Sequence, residues 1–137
     1  MKTHPYLRAY MAGVMVPSLF FLLALVVYVA IRPGFDPRLT PERMMIFPTA
    51  LVPAIWGGWN MVYLALAGRP RLPLGLHGAV IPLALIPTAL FLAPRLGFAL
   101  PPHVGTAVLV ALLPLALIYY LVWKFVVGFL NHELGIG

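Results

Sequence analysis

Four apolar stretches, 10–31, 44–67, 76–93 and 106–130, occupy most of this chain, and none of them contains an Asp or a Glu. A helix needs ~20 apolar residues to cross about 30 Å of hydrocarbon. Each stretch meets or approaches that length, the third being the shortest. The sequence therefore predicts an all-α integral membrane protein: four transmembrane helices forming a single bundle over 1–137. Transmembrane strands would show shorter segments of alternating polarity, and runs such as "LFFLLALVVYVAI" do not alternate.

Composition agrees with this. Hydrophobic residues make up 63% and charged residues 9%, with a mean hydropathy of +1.01, too little polar surface for a soluble domain. Lys2 and Arg8 precede the first stretch as basic residues precede a secretory leader. Its apolar run is longer than such a leader uses, however, and no A-x-A cleavage site follows. It reads as an uncleaved anchor.

The formal charge of +6 is spread singly or in pairs at the ends of the stretches. There Lys and Arg can snorkel to anionic lipid headgroups. Nucleic acid would need a basic patch that these short loops cannot build. There is no cysteine, which excludes disulfides, thiolate catalysis and Cys-ligated metals. With four spans, Lys2, Arg8, Arg69, Arg71 and Lys124 fall on the side of the termini and Arg32, Arg38, Arg43 and Arg95 on the other. The excess of Lys and Arg places both termini in the cytoplasm.

The two halves of the chain resemble each other. "GVMVP" from Gly13 matches "GAVIP" from Gly78, "RPGFDP" from Arg32 matches "RLGFALP" from Arg95, and "ALVP" from Ala50 matches "ALLP" from Ala111. The matches occur in the same order, as an internal repeat requires. Two units, 1–67 and 76–130, would then be tandem αα-hairpins related by a pseudo-two-fold axis along the membrane normal.

The repeated motif sets a glycine four residues before a proline. A proline in a helix removes one hydrogen bond and crowds the carbonyl four residues back. Gly13 before Pro17 and Gly78 before Pro82 ease that crowding and let a neighbouring helix come close. Thr49 stands in the same relation to Pro53, with a hydroxyl that can re-satisfy freed backbone; Pro114 has only Val110. Kinks are expected at all four prolines. Pro87 adds a second break, which marks the third helix as the one expected to be irregular.

In "WGGWNMVY", Trp56, Trp59, Asn60 and Tyr63 fall on one helical face. An interfacial aromatic belt accounts for Tyr63, but Trp56 sits about 18 Å from Met44, too deep for one. Asn60 is the one amide in the first three stretches, and in hydrocarbon it needs a partner on another helix or in a wet cavity. In "LIYYLVWKF", Tyr120, Trp123 and Lys124 share a face. Lys124 is the one charge well inside a stretch, hence a functional candidate with snorkelling as the plain alternative. Together these seven residues could line a pocket on the side of the termini.

His77 and His103 open the third and fourth helices on opposite sides, so they cannot share a metal; they and the other histidines read as solvated helix-end residues. No metal site or cofactor is expected. In the first loop, Thr40 followed by Pro41 reads as a helix start, with Thr40 as the cap. With one serine and the acids Asp36, Glu42 and Glu133 scattered, no nucleophile and base come together, and no enzyme is expected. A proton- or cation-coupled carrier would want a carboxylate in the membrane. The sequence thus points to a small structural or accessory subunit packing against a larger membrane complex or itself. The alternative is a small carrier, channel or lipid-binding bundle with an aromatic-lined pocket near Asn60 and Lys124.

Overall fold

The computed structural model describes residues 4–31, 41–67, 69–70, 72–92, 94–96 and 103–136. Their order is α1 (Pro5–Ile31), α2 (Pro41–Ala65), α3 (Leu74–Leu92), a short 3-10 turn (Pro94–Leu96), α4 (Val104–Leu121), a π-helical segment (Val122–Val127) and α5 (Gly128–Glu133). The last three elements form one continuous helical run. The described residues thus hold four helices and no strand.

Three of the helices are long and apolar enough to cross a membrane, over Pro5–Tyr28, Leu74–Leu92 and Gly105–Glu133, a set compatible with a membrane protein. None of the most apolar window of the last is buried. Val110, Leu113 and Leu117 are 74%, 77% and 58% exposed, an outward face that lipid tolerates and water does not.

The helices begin earlier than the apolar stretches do. α1 starts at Pro5 and α2 at Pro41, because proline, which has no N–H to satisfy and a helical φ already set, suits the first position of a helix. α1 stays helical through Pro17, α3 through Pro82 and Pro87, and α4 through Pro114. α3 is α-helical throughout, with the Thr88 hydroxyl donating back to the Ala84 carbonyl at 2.7 Å, whereas the π segment lies in the last helical run, away from any proline. Its defining bond joins the Gly128 N–H to the Trp123 carbonyl five residues back. The Thr40 cap, the Thr49 side chain and most of the Arg-x-Gly-Phe match lie outside the described residues.

The chain forms two compact units: unit 1 is Met1–Arg69 with Phe129–Gly137, and unit 2 is Pro70–Gly128. In unit 1 α1 packs along α2; in unit 2 α3 packs along α4 and the π segment. Unit 1 thus recruits the last residues of the chain as a third element.

Candidate functional site

Unit 1 is organised around Asn60. Close backbone approach and hydrogen bonds mark where α1 and α2 meet. Gly13 supplies the first: a Cβ there would fall 2.5 Å from the Trp56 carbonyl oxygen and 2.8 Å from Gly57 Cα. One turn away, Gly57 faces Tyr10, whose Cδ2 lies 2.6 Å from where a Cβ would stand. Ala9, Ala12 and Trp56 are buried around this seam.

Asn60, 1% exposed, supplies the hydrogen bonds. Its Nδ2 donates to the Ala9 carbonyl of α1 at 2.8 Å and to Asn131 Oδ1 at 2.8 Å, and Asn131 Nδ2 donates back to Asn60 Oδ1 at 3.1 Å. Both amide hydrogens and the carbonyl oxygen of Asn60 are engaged, so a buried amide that would be costly if unmatched is satisfied within the unit. Asn131, itself buried, was not among the sequence candidates because it lies one residue beyond the fourth apolar stretch. A signal was available: Trp123, Val127 and Asn131 recur every four residues, and all three are buried.

The segment carrying Asn131 ends in a Schellman turn. Ile136 N–H donates to the Asn131 carbonyl at 2.8 Å and Gly135 N–H to that of His132 at 2.9 Å, with Gly135 at φ +65°. The Leu134 carbonyl that this turn leaves open accepts a hydrogen bond from Arg8 Nη1 at 2.9 Å. A cation on the carbonyl end of a helix is favoured by its dipole as well. Ala9 and Arg8, adjacent in α1, thus hold Asn60 and the end of the chain.

Unit 2 uses rings instead. Gly78 lies so close to Trp123 that a Cβ would overlap its indole, and Gly75 faces Tyr120 Cε2, 2.7 Å from the position of a Cβ. Trp123 is fully buried and His77 is 5% exposed, their rings 6.2 Å apart and tilted by 59°. This corrects the solvated helix-end reading of His77. The small flanking Gly75 and Gly78 bring the first turn of α3 against the π segment, and the histidine goes inside with it. Lys124 points outward, its Nζ 5.7 Å from the Tyr120 ring centroid and 5.1 Å from that of Phe125.

The seven residues expected to share a pocket therefore divide between the units. Trp56 and Asn60 are buried in unit 1, with Trp59 and Tyr63 half-buried there; Trp123 is buried, Tyr120 half-buried and Lys124 exposed in unit 2. Among the described residues no three His, Asp or Glu side chains gather to hold a metal ion. Set against protein-family models, curated proteins and solved structures, the chain matches none. Its own chemistry is then the guide to function: unit 1 engages the Asn60 and Asn131 amides and Arg8 in internal bonds, while Arg95 and Lys124 of unit 2 are exposed.

Proposed function

We propose that this chain is a multi-pass membrane protein with a structural role, a small accessory subunit that packs against a larger membrane assembly. The observation carrying the reading is the saturation of Asn60. A carrier or channel built on the Trp56 to Tyr63 stripe would need that amide open to its cargo, and its hydrogens and oxygen are already engaged by Ala9 and Asn131. With the Asn60 and Asn131 amides turned inward, the chain offers a neighbour an apolar flank such as the exposed face of α4. No catalytic step and no cofactor is assigned to it.

In this reading α2, 25 residues long, is the fourth span. The spans form two tandem hairpins about a pseudo-two-fold axis along the membrane normal, their prolines bending them. Both termini lie in the cytoplasm, following the excess of Lys and Arg on that side. Affinity purification in a mild detergent tests the role. Recovery of one larger membrane protein at fixed stoichiometry, destabilised when this chain is deleted, is the expected result. A chain that purifies alone, and whose deletion leaves other membrane assemblies intact, refutes it.

A further inference from the structure

Three cations with described side chains sit on helices: Arg8, Arg95 and Lys124. Arg8 donates to the Leu134 carbonyl, and Arg95 donates to the Phe91 carbonyl at 2.9 Å while lying 3.5 Å from the centroid of the Phe91 ring. Lys124 has the two ring contacts with Tyr120 and Phe125 and, among the described residues, no hydrogen-bond acceptor. Aromatic faces attract an ammonium but carry no charge to neutralise it. Nor can unit 2 supply a carboxylate, since residues 70–128 contain no Asp and no Glu.

The surroundings make the missing anion specific. Leu121, Phe125 and Val126 are all substantially exposed around Lys124, so the ammonium emerges through an apolar surface rather than into a polar crevice. Lys124 stands nine residues before Glu133, the end of its span, or roughly 14 Å along the helix axis. The ammonium lies back beside Tyr120, one turn before Lys124, and a lysine stem that swings towards Glu133 covers part of that distance to the lipid phosphates. It also sits in the π segment, a departure from α-helix often found at functional sites.

We infer that Lys124, flanked by Tyr120 and Phe125, is a binding site for the phosphate of an anionic phospholipid. The aromatic rings fix the ammonium and lie along the acyl chain; the phosphodiester supplies the counter-charge. This inference rests on the membrane-spanning part of the proposed function and not on the accessory role.

The test reconstitutes the full chain in nanodiscs of phosphatidylcholine and phosphatidylglycerol in equal parts and measures, by native mass spectrometry after detergent release, the phospholipid that stays bound. The unaltered chain should retain phosphatidylglycerol preferentially. Lys124→Gln should lower that preference about fivefold, the weight of one lysine near an anionic surface. Lys124→Arg should keep it, and Arg69→Gln, which removes a charge from a connector, should change it much less. An unaltered chain with no preference overturns the proposal without recourse to any variant, as does a Lys124→Gln chain that retains as much phosphatidylglycerol as the unaltered one. Displacement of the lipid by millimolar inorganic phosphate would overturn it in favour of a free-phosphate site. Resistance of the chain to alkaline extraction from the membrane, measured in parallel, separates failure of this site from failure of the membrane reading.

Discussion

The two units each hold a pair of apolar helices together, and they do it differently. In unit 1 the contact at Gly13 is backbone against backbone, with the Trp56 carbonyl and Gly57 Cα as the nearest atoms, and a buried amide pair ties α2 to the end of the chain. In unit 2 the contact at Gly78 is a glycine against the Trp123 indole, and ring packing continues to His77. Even the shared device is reversed. The tyrosine facing a glycine is Tyr10 on the first helix in unit 1 and Tyr120 on the second in unit 2. A glycine in an apolar helix can thus admit either a backbone or a ring, and only in the second case can the neighbour be changed by mutation.

That distinction yields the largest expected effects. Gly13→Ala sets a methyl against main-chain atoms that cannot retreat unless α1 and α2 separate. The loss should be about 3 kcal/mol of unfolding free energy in detergent, and Trp56→Leu should not restore it. Gly78→Ala should cost a similar amount, but there the obstacle is a side chain. Combining it with Trp123→Leu should recover much of the loss, leaving the double variant more stable than additivity predicts. Equal rescue at both sites, or none at either, breaks the comparison.

The amide pair comes next. Asn60→Leu should cost about 2 kcal/mol, because it strands the Asn131 amide inside unit 1. Asn131→Leu should cost less, since Asn60 keeps the Ala9 carbonyl. With both replaced, no buried amide is left unmatched, and the cost should fall below the sum of the two single losses, as thermal unfolding of all four chains in a double-mutant cycle would show. Full additivity would mean that the pair adds nothing to unit 1 that its glycine contact does not already provide.

Much of the helical content was legible because long apolar helices announce themselves by length and hydropathy. The helix start at Pro41 follows from the chemistry of proline, while that at Pro5 lies five residues before the first apolar stretch, and the need of Asn60 for a partner on another helix or in a wet cavity follows from its being an amide in an apolar stretch. Its partner was hidden by a boundary: ending the fourth stretch at Leu130 put Asn131 outside, although "HELGIG" carries the glycine that a Schellman turn needs. The π segment left no trace, since nothing in "VWKFVV" punctuates a helix, and the prolines drew attention to α3 instead. His77 misled for a related reason. A histidine at a helix start reads as solvated until one knows that the glycines beside it bring Trp123 over it.

The smallest effects separate glycines that serve contact from one that serves conformation. Gly58 neighbours Gly57 in α2, yet nothing lies within 4 Å of where its Cβ would stand. Gly58→Ala should therefore leave stability unchanged or raise it by up to about 1 kcal/mol, as expected for a glycine inside a helix. Gly135 also has room, its nearest neighbour for a Cβ being Arg8 Nη1 at 3.5 Å, but its φ of +65° is one that an L-residue resists. Gly135→Ala should cost about 1 kcal/mol and, by loosening the turn that presents the Leu134 carbonyl to Arg8, speed amide hydrogen exchange in residues 129–136 ahead of α1 and α2. If Gly58→Ala destabilises as much as Gly13→Ala, then helix flexibility rather than close approach explains the glycines, and the contrast between backbone and ring contacts loses its basis.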